Sequence, residues 1–412
     1  MLHTLPLSAA ADGVFTLSDR TEARVRAPDP VTNAVALDLD TLMDARAVWQ
    51  ARNATYTLAE LPRFTLLDYN GAAIQPALLD GLFAAAEWRF TPRVRIRVEE
   101  TASYGQLSFE SLSAIPAPGT PQPSPNPTGQ PPPVGTATLV PGTSKSILYG
   151  ASETSVGSTL LFRPWTVLTR VGYQLSGGVD GAAQQFLPFQ NGPLAEATAD
   201  YKLGARDHVA TVATASETAF SAPANTEDLL GELEEQWRHR WARMTDTMLS
   251  AGWSAARTRD GLGAPDVFVS YPVGEAAFDQ HFGHGPNTGE LRIEARLAPF
   301  VNRLTGLVDE QIRGTIDATW THRRFKLRAF ASAAESVDQG TATSTRYGTA
   351  ELDGAYKVSE WLTFDGGVRA LSQQYAAGPA GTAAAGSPFV EQSLSQGIVF
   401  FAATVRAAKV RF

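Results

Sequence analysis

The chain is 412 residues long and 43% hydrophobic, with a net charge of -8 and no cysteine. Disulfides, thiolate metal sites and cysteine nucleophiles are thereby excluded, and the acidic balance gives no support for a nucleic-acid partner. No stretch approaches the roughly 20 consecutive apolar residues of a membrane-spanning helix, whereas a barrel strand crosses with about 10 residues and buries only alternate side chains in lipid.

Residues 1–13, MLHTLPLSAAADG, hold a short apolar run and an Ala-rich stretch ending near Ala11 but no basic region. They read as a residual signal-like segment on a nearly mature chain. From about residue 14 onward a two-residue alternation takes over, the period of a strand whose successive side chains point to opposite faces. Strands are predicted near residues 14–26, 34–50, 54–69, 81–90 and 93–108. In the last of these Val94, Ile96 and Val98 oppose Arg95, Arg97 and Glu99. The connection 110–146 follows, with ten prolines between Pro116 and Pro141. Proline cannot donate to a ladder, so this segment is expected to be an extended polyproline-like outer loop.

Further strands are predicted at 147–163, 166–176, 192–203, 208–221, 228–243 and 247–260. Ala197, Ala199, Tyr201 and Leu203 there oppose Glu196, Thr198, Asp200 and Lys202. The segment 228–243 also suits a helix, because Leu229, Leu233, Trp237 and Trp241 are spaced by four. Residues of about 261–288 read as a second long loop, before strands at 289–299, 306–321, 325–336, 344–357, 361–374 and 395–412. Tight and long connections alternate, and Trp88, Phe90, Trp165, Trp320, Tyr356 and Trp361 sit beside the tight ones, where aromatics favour the headgroup level. The tally of strands is odd, whereas a single-chain barrel takes an even number. Treating 262–305 as one loop gives about 16 strands, and adding a strand near Asp266 to Phe278 gives about 18.

The chain ends GIVFFAATVRAAKVRF. This resembles the C-terminal strand of bacterial outer-membrane β-barrel proteins, porin-like chains whose terminal aromatic is read by the barrel-assembly machinery. The resemblance implies an all-β, antiparallel up-and-down transmembrane barrel over residues 14–412, with short periplasmic turns and long extracellular loops. It implies a place in the outer membrane among lipid and lipopolysaccharide, and Val410 and Phe412 as the assembly signal. Val410 and Phe412 lie on the opposite parity from Val399, Phe401, Ala403 and Val405, so either a bulge near Ala407–Ala408 resets the register or Arg406 occupies a normally apolar position.

No nucleophile elbow, phosphate loop or zinc-binding histidine pair is present, and neither an enzyme nor a cofactor is expected. Asp279, His281 and His284 could approach a metal ion only if their segment curled, and they read as ordinary loop residues. The polar parity predicts a lumen lining of Asp38, Asp40, Arg95, Arg97, Glu99, Arg170, Glu196, Asp200, Arg292, Glu294, Arg313, Asp317, Arg328, Glu351, Asp353, Asp365 and Arg369. Such residues either brace the wall as cross-strand pairs or set the field of a pore. The function expected is a channel for ions or small solutes. The alternatives are a partner-binding or scaffold barrel of an export, secretion or surface-motility complex, with partners at the outer loops, and a soluble all-β protein.

Overall fold

A computed structural model describes residues 12–26, 35–68, 74–108, 146–184, 187–221, 225–261, 265–302, 307–337, 344–376, 392–407 and 410–411. The signal-like segment up to residue 11, the Pro-rich connection from 109 to 145, and Phe412 lie outside the described residues.

Antiparallel strands follow one another in chain order, each hydrogen-bonded to the next. β1 is Asp12–Arg26 and β2 is Ala36–Ala51. β3 consists of Ala54–Glu60 and Arg63–Asp68, which keep one register against both neighbours and are separated only at Leu61 and Pro62, where proline lacks an N–H. There follow β4 (Ile74–Thr91), β5 (Val94–Ser108), β6 (Ser146–Phe162), β7 (Trp165–Gly178), β8 (Gln190–Lys202) and β9 (Asp207–Phe220). Next come β10 (Thr226–Ala242), β11 (Thr245–Asp260), β12 (Val267–His284), β13 (Asn287–Asn302) and β14 (Leu307–His322). The series ends with β15 (Phe325–Val337), β16 (Ser344–Lys357), β17 (Leu362–Ala376) and β18 (Gln392–Arg406, continued by Val410–Arg411). A single turn of helix, α1 (Gly181–Gln184), lies between β7 and β8.

Pairing of β1 with β18, from Ser18↔Arg406 to Arg26↔Ile398, closes the sheet into a barrel of 18 strands. That is the higher of the two expected counts. The difference lies in residues 261–288, expected as a loop: Val267–His284 forms β12, paired with β11 over Val267–Gln280 and with β13 over Gly274–His284. The segment 228–243 is strand, not helix, because a closed barrel pairs every edge and leaves Asp228, Glu232 and Glu234 on the face opposite Trp237 and Trp241. At the C-terminal end, Ser18 faces Arg406 and Phe15 faces Val410, so three steps along β1 are matched by four along β18. This bulge puts Val410 on the same face as Val405 and Phe401.

Outward positions along the strands carry Leu39, Val156, Val171, Leu233, Trp253, Ile293, Ile316, Leu352, Val368 and Phe401, all exposed. An apolar wall of this size is far larger than the patches water-soluble proteins leave uncovered, and requires an apolar solvent. Hydroxyls of the adjacent strand satisfy two carboxylates that stand on this face near mid-strand. Glu100 accepts from Ser152 at 2.9 Å and from Thr154, and Glu235 accepts from Thr211 at 2.7 Å. Aromatics collect where strands meet tight turns, with Trp88 edge-on to Tyr56, Trp165 against Tyr201, and Trp320 stacked on His322.

Candidate functional site

The inner face is identified by chords. Arg296 on β13 reaches Glu232 on β10 at 3.4 Å, passing over two intervening strands, which only the concave side of a closed sheet allows. The cross-strand register places the predicted polar residues on that same face. Arg292 stands opposite Asp317, Arg328 opposite Asp353, Glu351 opposite Arg369, Arg24 opposite Asp38, and Arg170 opposite Glu196. Ion pairs join many of them: Arg328 to Asp317 at 2.8 Å, Arg369 to Glu351 at 2.7 Å, and Glu294 to both Arg292 at 3.0 Å and Arg313 at 3.3 Å. Arg97 pairs with Glu99, Arg95 approaches Glu87 at 3.9 Å, and His208 lies 3.2 Å from Asp200.

The densest cluster is at the closure seam. Asp40 accepts hydrogen bonds from Arg24 at 2.6 Å, from both nitrogens of Arg63 at 2.8 and 2.6 Å, and from the Thr65 hydroxyl at 3.1 Å. Arg24 also donates to Glu22 at 2.5 Å, Arg26 pairs with Asp38 at 2.6 Å, and Arg20 ties Glu22 to Asp365 at 2.9 and 2.6 Å. Glu22, Arg24, Arg26, Asp38 and Asp40 are buried. Of these residues only Asp38, Asp40 and Asp365 belong to the predicted lining. Arg20, Glu22, Arg24 and Arg26 alternate with Thr21, Ala23 and Val25, so the same parity marks them.

A second cluster surrounds Arg296, whose guanidinium lies 3.4 Å from Glu232, 3.7 Å from Glu234 and 3.8 Å from Glu275. The strand under this chord offers Ser250 and Gly252, opposite Gln236 and Glu234. A Cβ at Gly252 would stand 2.0 Å from the Leu233 carbonyl oxygen, so glycine is required for the close approach of β10 and β11. One cation thus serves three carboxylates, and the wall here is acidic.

Exposure varies along the barrel axis. Toward the long-loop end the inner face is buried, including Asp228, Thr258, Tyr271, Val308 and Leu371. The end of the β13–β14 hairpin packs inward there, with Val301 and Val308 against Ala256, Tyr271, Leu230 and Val269. The Tyr271 hydroxyl fastens it by donating to the Val308 carbonyl at 2.6 Å. Toward the tight turns the inner face is open, with the side chains of Arg46, Arg97 and Arg240 exposed by 45%, 44% and 58%. The lumen therefore has an open vestibule at the tight-turn end and a sealed half at the other.

Asp279 and His281 lie on β12 rather than in a loop; Asp279 faces Arg292 at 3.9 Å and His281 faces Glu290 at 3.9 Å. Among the described residues, no group of three or more His, Asp or Glu side chains could hold a metal ion.

The model of the EpsX exopolysaccharide export family matches residues 5–266. No curated protein matches the chain. Among solved structures, the copper transporter OprC covers 95% of this chain and 81% of its own at 8% identity, with a TM-score of 0.50. The FrpB iron transporter of Neisseria meningitidis, in its apoprotein form, gives the same coverage and TM-score at 9% identity. OpdK of Pseudomonas aeruginosa with vanillate covers 96% of this chain and 99% of its own at 8% identity and a TM-score of 0.45. These structural likenesses are ones of fold.

Proposed function

The chain belongs to the EpsX exopolysaccharide export family, and from that premise we propose that it forms the outer-membrane passage through which an exopolysaccharide leaves the cell. The observation that carries this reading is the division of the wall. The outer face is predominantly apolar, and the inner face is polar and charged all the way round the barrel. A glycan chain needs hydrogen-bonding partners for its hydroxyls as it sheds water, and such a face supplies them. Pairing matters as much as polarity. Guanidinium and carboxylate groups that neutralise one another leave no deep well in which a moving polymer would stick, and conduction requires weak, repeated sites.

The predicted lining residues Asp38, Asp40, Arg95, Arg97, Glu99, Arg170, Glu196, Asp200, Arg292, Glu294, Arg313, Asp317, Arg328, Glu351, Asp353, Asp365 and Arg369 are assigned to this passage. The short turns face the periplasm, following the rule for outer-membrane barrels. The sealed long-loop half is then the outer gate, closed by the inward-packed end of the β13–β14 hairpin. Val410 and Phe412 are assigned to recognition by the barrel-assembly machinery, and the bulge before Val410 restores it to the lipid face for that purpose.

The absence of cysteine makes the reading testable with single substitutions. Ser332 faces inward, 3.4 Å from Thr315, and its neighbour Ala331 faces out. Attaching a bulky maleimide to Ser332→Cys is expected to stop export of surface polysaccharide in living cells, and the same label on Ala331→Cys to leave it intact. Undiminished export with Ser332→Cys fully labelled would contradict a route through the lumen.

A further inference from the structure

We propose that the tight-turn end of the barrel is a basic vestibule that captures a carboxylate-bearing, uronate-type polysaccharide chain. The inference rests on the reading of the lumen as an exopolysaccharide passage, and names the substrate class that the passage takes. The chain as a whole is acidic, at -8, yet its cations are unevenly placed. The turns at 52–53, 92–93, 163–164, 203–206, 243–244 and 323–324 carry Arg52, Arg93, Arg163, Arg206, Arg243 and Arg323, all exposed. None of these six has a carboxylate partner among the described residues. Arg323 even holds its turn at a φ of 53°, an uncommon conformation for a side chain of this size.

At the long-loop end the exposed cations are spoken for. Arg259 lies 3.1 Å from Glu227, Arg257 pairs with Asp266, and Arg346 lies 3.0 Å from Glu335. Among the described residues, the exposed cations without a carboxylate partner thus lie at one rim.

The strand positions just above that rim separate two possible partners. Facing outward at this height are Trp88, Phe162, Trp165, Tyr201, Trp241 and Trp320, and no described outward position there is lysine or arginine. Facing inward at the same height are Arg89, Lys202 and Lys326, all exposed and with no carboxylate partner among the described residues, and Arg46, Arg95 and Arg240, each beside a single carboxylate. A rim built for anionic lipid would continue its cations on the outside, among the headgroups. This one continues them into the lumen, which is the path of a solute. Guanidinium is the group suited to carboxylates, since its planar fork presents two parallel N–H donors to the two oxygens. A ring of such groups around a low-dielectric mouth concentrates a polyanion and aligns its end with the opening. Deeper in, at Arg296, the wall turns acidic, with Glu232, Glu234 and Glu275 around one guanidinium. The polyanion is therefore held at the vestibule and released toward the gate rather than trapped.

The test uses the full barrel in nanodiscs of phosphatidylcholine, with fluorescent oligogalacturonate and neutral dextran of equal length as probes. Oligogalacturonate is expected to bind, dextran not, and the affinity to fall steeply with added salt. The triple variant Arg52→Gln, Arg93→Gln, Arg243→Gln removes exposed, unpaired groups and leaves every strand pair in place. It is expected to bind on the order of a hundredfold more weakly, since each of the three lost surface cations weakens attraction to a polyanion by on the order of 1 kcal/mol. Equal binding of both probes, or an unchanged affinity in a folded triple variant, would overturn the proposal. So would loss of oligogalacturonate binding when the nanodiscs contain phosphatidylglycerol, because the arginines would then belong to lipid headgroups. Export abolished by deletion of the protein, together with no oligogalacturonate binding, sinks this inference alone. Binding as described, with export untouched by deletion, sinks the export reading and leaves the vestibule standing.

Discussion

Replacing Asp40 by asparagine removes the charge on which the closure seam converges while keeping the shape of the side chain. In the native barrel this carboxylate, only 8% exposed, holds Arg24 at 2.6 Å and Arg63 at 2.6 Å, and accepts from Thr65 at 3.1 Å. Arg24 keeps Glu22 at 2.5 Å after the substitution, whereas Arg63 loses its carboxylate partner and one of the two acceptor oxygens at position 40. Removing one partner of a buried pair costs about 3–5 kcal/mol, and the retained Glu22 contact puts this case at the low end, about 3 kcal/mol. Urea unfolding of the barrel in lipid vesicles, followed by tryptophan fluorescence, reads the loss. Glu335→Gln breaks the pair with Arg346, whose side chains are 38% and 63% exposed, and should cost less than about 0.5 kcal/mol. The double variant Asp40→Asn, Arg63→Gln should recover part of the loss, because no unpaired guanidinium then remains on β3. Equal and small shifts for Asp40→Asn and Glu335→Gln would refute the view that the inner-face pairs are desolvated and structural.

Three further outcomes follow from the geometry. Tyr271→Phe removes the 2.6 Å bond to the Val308 carbonyl, costs about 1–3 kcal/mol locally, and should raise open probability in planar-bilayer recordings; unchanged conductance would argue against the β13–β14 hairpin as gate. Leu233→Arg places a charge on the lipid face near mid-strand and should destabilise the barrel by about 2–4 kcal/mol in vesicle unfolding, whereas a water-facing position would tolerate it. Gly252→Ala puts a methyl group 2.0 Å from the Leu233 oxygen and should cost about 1–3 kcal/mol by forcing β10 and β11 apart, read as a lowered urea midpoint.

Alternation made most strands legible, because an apolar outer face and a polar inner face put a clean period of two into the chain. β12, offered by the sequence only as the alternative strand near Asp266 to Phe278, was less legible for a physical reason. Its inward residues Val269, Tyr271 and Val273 are apolar because the sealed half of the lumen packs against them, so both faces of this strand lack the usual contrast. The glycines at its end, Gly283 and Gly285, suggested a loop, and they instead hold the positive φ of 95° and 61° that shape a tight turn. The local pairs of the inner face were legible in the same parity, Arg369 with Glu351 among them. Chords such as Arg296 to Glu232 were not, since they skip two strands and depend on barrel curvature and on the small residues Ser250 and Gly252 beneath. The switch of parity before Val410 was visible in the chain, and the pairing of Phe15 with Val410 resolves it as a bulge.

The central claim is that polysaccharide passes through the lumen, and a photo-crosslinker set into the wall tests it most directly. Phe330 faces inward opposite Asp317, with the Arg328 guanidinium 5.1 Å above its ring, and Phe401 faces lipid. With benzoylphenylalanine at position 330, illumination of exporting cells should attach exopolysaccharide to the barrel, and the same residue at position 401 should capture none. Normal export with no capture from position 330 would contradict the account.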